Sequence, residues 1–520
     1  MIWDEKRLQE LVAARLSGAK LIVVANREPY IHRNHNGKVE WIRPAGGLTA
    51  ALDPVMRACG GVWIAHGSGS ADRQTVDQAS HINVPIGGPK YTLRRIWLSR
   101  GQEEGYYYGF SNSCLWPLCH QVFQRPEFNA EHWEAYREVN QIFADAVIEE
   151  AKGGPALVFV QDYHFALLPE MVKRSRPDLL LAHFWHIPWP NPETFRVCPW
   201  GLEILQVMLG NDLMSFHIQY HCNNFMETVD RMLECRIDRE HFAIQRSESI
   251  TRVRPHPISV DTRPDHDLNE WDWKTRTQEL RDELGLGNLP VILGVDRIDY
   301  TKGILERIEA VDLLLTRYPQ CRGRFYFVQA GPKSRDMVRA YSDLNWQIRL
   351  AIEGVNARHG SECWSPIHFL NENHGPERVN ALYRMASVCV VSSLHDGMNL
   401  VAKEFVAARG DESGVLVLSR FTGAARELAD AVLVNPFDVG QMCEAIRQAL
   451  EMPMEEQKAR MVRMRRHVQH HNIYRWAGRL LAEVGKMAED GQPRCSELMQ
   501  EDSQVLLWDP AHWFPMGAGK

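Results

Sequence analysis

No stretch of this 520-residue chain approaches the ~20 consecutive apolar residues that a membrane-spanning helix requires, so no membrane partner is expected. The chain also lacks a CxxC pair, an HExxH helix, a GxSxG elbow and a GxGxxG fingerprint. Sequence support for a zinc peptidase, a serine hydrolase or a nicotinamide enzyme is therefore missing. Low-complexity tracts and internal repeats are absent too. There is no excess of positive charge: 59 Lys and Arg stand against 66 Asp and Glu, a formal charge of −7. Nucleic acid is not an expected partner, because phosphate backbones call for a basic face; one basic pocket for a phosphorylated metabolite remains compatible. The first residues, MIWDEKRLQELVAARLSG, are mixed in charge and lack the apolar core of a secretory leader. Eleven cysteines without pattern fit reduced thiols and a cytoplasmic location.

What is present is 45% apolar and 24% charged residues, the composition of a soluble globular protein long enough for several domains. Apolar runs alternate with longer helical patterns. In the first half they include Leu21–Ala25, Leu157–Val160, Leu179–Phe184 and Leu213–Phe216. In the second half they are Val291–Val295, Phe325–Ala330, Ile367–Leu370, Val388–Val391, Val415–Leu418 and Val432–Val434. This alternation predicts an α/β fold with parallel sheets covered by helices on both faces. The proline- and acid-rich stretch from Pro255 to Leu289 reads as the junction between two doubly wound domains. The Gly-rich region from Asn34 to Gly105, with short β-like pieces, reads as decoration of the first domain near a site. Trp508, Trp513 and Phe514 suggest that the tail docks.

Chemistry-bearing residues cluster just past predicted strands, where α/β sheets present ligand sites. His395-Asp396-Gly397-Met398-Asn399-Leu400-Val401-Ala402-Lys403-Glu404 follows Val388–Val391 and leads into a helix. Backbone N–H groups there can bind anionic oxygens, Asp396 can accept from sugar hydroxyls, and Glu404 lies further along the helix. Asp296-Arg297-Ile298-Asp299-Tyr300-Thr301-Lys302-Gly303 follows Val291–Val295. Its two cations suit a diphosphate; the competing reading is a surface ion pair of Arg297 with Asp299. Arg335, in Gly331–Arg335, can bind phosphate or sugar, or be a solvated surface residue. In the first half, Asn26-Arg27 closes a strand, Gly46-Gly47 opens a helix, and Asp162, His164 and His186 follow strands; the two histidines also read as hydrogen-bonded core residues. His217 and His221 stand four apart with no further ligand nearby in the sequence, and a structural role is expected of them.

Taken together, these segments resemble the trehalose-6-phosphate synthase family of retaining glycosyltransferases. The resemblance runs from about Leu21 to about Ile473 and rests on DRIDYTKG and DGMNLVAKE, with Phe110–Asn112, Leu115–Pro117, DYH and HIPxP in support. It implies a GT-B fold, two Rossmann-like doubly wound domains facing across a cleft: an acceptor domain (1–260), a nucleotide-sugar domain (285–471), and a C-terminal helix and tail (472–520) crossing back. By resemblance, Arg297 and Lys302 bind the donor diphosphate, Glu404 the ribose and Asp396 the glucose. Gly397, Met398, Asn399 and Leu400 offer backbone N–H groups, and Gly47 sits at the mouth of the diphosphate site. His186 lies by the donor sugar and Asp162 by the acceptor, while Arg27, Tyr107, Trp116 and Arg335 bind a phosphorylated acceptor. No metal or other cofactor is implied; the donor is UDP-glucose, ADP-glucose or GDP-glucose, and the protein is expected to be a homo-oligomer serving compatible-solute synthesis.

Two departures mark this chain. The family's GWSG turn stands here as Ala65-His66-Gly67-Ser68-Gly69, putting His66 where a tryptophan faces the acceptor, and the arginine usual before DGMNL is His395. NREPY is similar to glucosylglycerol-phosphate synthase. The readings carried forward are therefore synthesis of trehalose 6-phosphate from glucose 6-phosphate, the same transfer onto glycerol 3-phosphate, and a non-catalytic sugar-phosphate-binding homologue.

Overall fold

The computed structural model describes residues 2–16, 18–44, 46–247, 249–263, 270–335 and 337–489; the tail with Trp508, Trp513 and Phe514 lies outside them. Two sheets organise the chain. Across the first run Arg236–Asp238, Ala243–Arg246, Ser249–Pro255, Leu213–Phe216, Leu180–Phe184, Ala156–Gln161, Lys20–Arg27, Val62–His66, Tyr91–Ile96 and His81–Val84. From Ser249–Pro255 to Tyr91–Ile96 all neighbours are parallel, and antiparallel pairings close both edges. The second sheet, ordered Ile367–Leu370, Tyr326–Ala330, Val291–Val295, Val388–Val391, Val415–Ser419 and Val432–Val434, is parallel throughout. Its central strands are apolar on both faces and buried, as helices packed on both sides require.

The region 34–105 is more than decoration. Only the hairpin Ile31–His35/Lys38–Ile42 stands apart; Val62–His66 and Tyr91–Ile96 are integral strands of the first sheet. Charge hides the second of these: YTLRRI carries two arginines, yet Arg95 is buried because Glu28 and Asp72 pair with it at 2.7 and 3.0 Å.

The C-terminal helix Ile473–Glu489 packs on the helices Glu5–Arg15 and Gly47–Cys59 of the first half. Trp476 anchors it, donating from Nε1 to the His256 carbonyl at 3.1 Å with its ring against Phe159 and Phe184. Lys403, wholly buried, donates to the Ile258 carbonyl at 2.7 Å and to Glu427 at 2.5 Å, fixing the segment between the sheets to the second one. The carboxyl ends of the two sheets thus face each other across one cleft.

Candidate active site

On the second sheet, the strand Val388–Val391 ends at two buried serines. Ser392 Oγ donates to the Gly303 carbonyl at 2.7 Å and accepts from Arg307 Nε at 3.0 Å, joining the 396–404 and 296–303 segments. Gly303 adopts the left-handed conformation (φ 62°); a Cβ there would meet the Ser392 carbonyl, so only glycine permits this junction. Lys302 Nζ reaches Asp396 Oδ2 at 2.6 Å, and Asn399 Nδ2 donates to the same oxygen at 3.2 Å. Burial pushes the Asp396 carboxyl up, but Lys302, His120 and Asn399 together hold the group down at about 2. Asn399 caps the helix Leu400–Ala408 through Ala402 N–H. The N–H groups of Gly397 and Met398 donate to no described protein acceptor. Glu404, in the second helical turn, accepts from Tyr383 Oη at 2.7 Å.

Asp296 and Asp299, which flank Arg297, are structural. Asp296 forms a buried pair with Arg307 at 2.7 Å, and Asp299 binds Thr301 and pairs with Arg335 at 3.1 Å. The ion pair of Arg297 with Asp299 is therefore not formed. Arg335 is not a solvated surface residue either: it is buried, lies 4.1 Å over the Trp116 ring, and bonds to Tyr341 and, from the other sheet, Tyr163 at 3.3 Å.

These contacts bring Arg27, Arg297, Arg335, Tyr107 and Trp116 together. Arg27 Nη2 donates to Tyr107 Oη at 3.2 Å. Arg297 makes no hydrogen bond or ion pair among the described residues, and burial with the charges of Arg27 and Arg335 pushes its pKa down. Burial raises the Tyr107 phenol, but Arg27 and Arg335, followed by Arg297, bring it down to about 7. A phenol at 7 reports a concentration of positive charge around it. Tyr107 is carried by a π-helix, Glu104–Leu115, in which Asn112 Nδ2 and Ser113 Oγ bond five residues back, to the carbonyls of Tyr107 and Tyr108. His164 stacks on the other side of Tyr107, 5.8 Å away and 11° from parallel.

Beside this cluster, Asp162 has φ 71°, a strained conformation of the sort found at functional sites. Its Oδ1 accepts from the N–H groups of Tyr163 and His186 at 3.0 and 3.1 Å. Burial nonetheless pushes its carboxyl up to about 7. The His186 ring is tied to Gln161 at 2.9 Å and burial holds it neutral. Across the cleft, Gly397 lies so close that a Cβ would run into the His186 carbonyl, and a Cβ on Gly47 would stand 2.9 Å from Leu400 Cδ1. His217 packs on Phe184 and His186, and His221 bonds to Trp189. Among the described residues no group of three or more His, Cys, Asp or Glu side chains is placed to hold a metal.

The sequence pattern of glycosyltransferase family 20 matches residues 19–486. The chain belongs to that family. It is 38% identical over 487 residues, 92% of its length and 97% of the relative's, to a trehalose-6-phosphate synthase of Mycobacterium avium (strain 104). Over 480 residues it is 38% identical to one of Mycobacterium tuberculosis (strain ATCC 25618 / H37Rv), covering 91% of this chain and 95% of the relative. Among solved structures it is similar to an α,α-trehalose-phosphate synthase of Burkholderia xenovorans in complex with glucose 6-phosphate (TM-score 0.80, 28% identity, 90% of this chain and 100% of the other). It is likewise similar to the E. coli protein bound with UDP-2-fluoro glucose (TM-score 0.77, 28% identity, 90% and 99%). The α/β architecture is thus the GT-B fold of these family-20 structures.

Of the residues expected on the acceptor side, Arg27, His66 and Tyr107 line a cavity of about 170 Å³ together with Glu28, Ser68 and Glu103, among others, whereas Asp162, Trp116 and Arg335 are not in its lining. His66 Nδ1 is held by the Ile96 carbonyl at 3.2 Å. Glu28 was missed in the sequence, although it directly follows Arg27 at a strand's carboxyl end. Its carboxyl accepts from Ser68 N–H at 2.9 Å and from Arg95 at 2.7 Å, so it fixes the turn that carries His66. Burial, with a hydrogen bond to Asp72, pushes Glu28 up to about 8.

Proposed function

We propose that this glycosyltransferase transfers glucose from a nucleoside-diphosphate glucose to glucose 6-phosphate, with retention, to give trehalose 6-phosphate. The observation that carries the reading is the gathering of Arg27, Arg297 and Arg335 around Tyr107, which lowers that phenol to about 7, beside the Lys302–Asp396 pair. Two anionic groups fit it, one on each substrate. The diphosphate lies at Arg297 and Lys302, with ribose at Glu404 and glucose hydroxyls at Asp396 and the N–H groups of residues 397–400. The acceptor phosphate lies at Arg27, Tyr107 and Arg335 against Trp116, and its sugar lies between His66 and Asp162.

In the transfer, the bond from the anomeric carbon to the diphosphate oxygen breaks and a bond from that carbon to the acceptor hydroxyl oxygen forms on the same face. The hydroxyl proton passes to the departing diphosphate oxygen. Negative charge grows on the diphosphate, where Arg297 and Lys302 are already fixed. The reaction so drawn needs no metal or other cofactor, since these cations supply the electrostatic stabilisation. UDP-glucose is the favoured donor, because a solved relative binds UDP-2-fluoro glucose; ADP- and GDP-glucose are the alternatives. A cytoplasmic location is supported by the free state of all ten described cysteines. Assembly into a homo-oligomer is supported by Trp346 and Leu350, 63% and 46% exposed one turn apart on the helix Arg339–His359.

His66 and two glutamates, Glu28 and Glu103, in the cavity lining favour a second reading, transfer to glycerol 3-phosphate. Incubating the protein with UDP-glucose and each acceptor, and following UDP release and product, separates them. Turnover with glucose 6-phosphate is expected; its absence sinks the leading reading, and turnover with glycerol 3-phosphate alone selects the second.

A further inference from the structure

His395 directly precedes Asp396, yet its ring turns away from the donor segment. Its Nδ1 accepts from the backbone N–H of Gln121 at 3.2 Å, a contact between residues 274 positions apart that bridges the cleft. Accepting at Nδ1 places the imidazole proton on Nε2 and requires a neutral ring. Two imidazoles of the first half flank it, His120 and His221, each 6.1 Å away and edge-on (84° and 61°). Burial holds both of them neutral, at about 3, and His395 itself at about 4. An arginine at this position has only donors and could not accept the Gln121 N–H, whereas a neutral histidine can.

The contact continues inward. His120 bonds through Nδ1 to the Trp116 carbonyl at 2.9 Å and packs on the Trp116 ring at 4.2 Å. Trp116 in turn underlies the Arg335 guanidinium. His395 therefore stands at the end of an unbroken row, His395–His120–Trp116–Arg335, running from the donor segment to the cation cluster.

We propose that His395 is a positioning residue: by accepting from Gln121 across the cleft and seating between His120 and His221, it holds the Asp396–Leu400 segment in register with the Trp116–Arg335 wall. It does not touch the reacting atoms. It sets the position of the groups that do, and so couples closure of the cleft to alignment of donor and acceptor. This deepens the transfer reading above and rests on it.

The test uses the full chain with His395→Ala and His395→Asn. Asparagine places an amide oxygen close to the Nδ1 position, so it can accept from Gln121 without an imidazole. UDP affinity is expected to stay within about twofold in both variants, because the Arg297, Lys302 and Glu404 contacts are intact. With glucose 6-phosphate, His395→Ala is expected to lower kcat by roughly tenfold, the equivalent of one aligned hydrogen bond, and His395→Asn to recover most of it. A merely structural role would lower thermal stability in both variants without that rescue. His395→Ala turning over within twofold of the wild type, or His395→Asn no better than His395→Ala, overturns the proposal. X-ray scattering with saturating UDP gives a readout independent of the acceptor: wild type and His395→Asn should be more compact than His395→Ala, and equal compactness of all three also overturns it. A wild type that closes on UDP but does not glucosylate glucose 6-phosphate would instead count against the transfer reading, leaving the scattering to decide the role of His395.

Discussion

Two stretches of the cleft wall solve opposite electrostatic problems. On the donor wall, around Asp396, charges are matched within the protein, Lys302 with Asp396 and Arg307 with Asp296, and Glu404 accepts from the Tyr383 hydroxyl. On the phosphate wall, around Tyr107, Arg297 and Arg335 of the same sheet meet Arg27 of the other; Asp299 pairs with Arg335, and the three cations depress the phenol to about 7. A matched pair can be held rigidly without ligand. A gathering of like charges is costly alone and becomes favourable when an anion enters. On the proposed reading neutral sugar hydroxyls lie on the first wall and phosphate oxygens on the second, with Arg297 standing where the two meet.

The largest expected effect comes from removing that shared cation. Arg297→Ala should reduce turnover by about 10²–10³-fold, the scale for loss of a fixed group facing developing negative charge. Thermal stability should be unchanged or higher, because Arg297 bonds to no described group and its removal relieves repulsion from Arg27 and Arg335. Steady-state kinetics and a melting curve check both halves. Retained activity would show that the diphosphate does not sit at this cluster, and the contrast between the walls would lose its functional meaning.

A smaller effect separates the phosphate wall from a merely basic surface. Free Tyr107 loses its proton near pH 7; below that the phenol is neutral and the cluster fully positive, above it a phenolate cancels one charge. A bound phosphate dianion would push the phenol back up, so binding favours the protonated form. The acceptor KM should rise as pH increases from about 7, by up to about tenfold per unit at the limit set by one linked proton. Tyr107→Phe should flatten that rise while leaving UDP affinity unchanged. A wild-type acceptor KM that is flat between about pH 7 and 9, or a phenylalanine variant with the same rise, would remove Tyr107 from the acceptor site.

The donor wall was legible in sequence because its parts are local. Asp396, Asn399 and Glu404 lie on one strand-to-helix connection, and Arg297 and Lys302 on another, so strand ends alone bring them forward. What could not be read is whatever depends on the opposite wall: Gly397 against the His186 carbonyl, Arg335 against Tyr163, His395 against Gln121. Each joins residues far apart in the chain, and no local periodicity encodes them. The π-helix that presents Tyr107 was illegible because its wide turn rests on side-chain bonds such as Asn112 to Tyr107, not on a hydrophobic period. The strand Tyr91–Ile96 was hidden because Arg95 is buried through partners at Glu28 and Asp72, and hydropathy alone assigns an arginine to the surface. The same network makes Glu28 a support for the His66 turn, a role with no motif to announce it.

The acceptor cavity offers the finest contrast, because it is where this chain departs from the pattern it otherwise follows. His66 presents a small polar ring, held by the Ile96 carbonyl, where the family resemblance puts a tryptophan. An indole face gives a hexose ring an apolar surface to lie on; glycerol 3-phosphate, anchored by its phosphate at Arg27 and Arg335, is too short to use it fully. His66→Trp should therefore lower the KM for glucose 6-phosphate by about threefold and leave glycerol 3-phosphate nearly unchanged, a gain in discrimination on the scale of one apolar contact. The effect should appear in KM and not in kcat, since the added contact is made equally in ground and transition states. Parallel assays with both acceptors check this. If both acceptors improve alike, His66 acts through the cation cluster; if only kcat moves, it acts on the reacting hydroxyl. Either result would shift the boundary between the two walls from the cavity's edge into the catalytic centre itself.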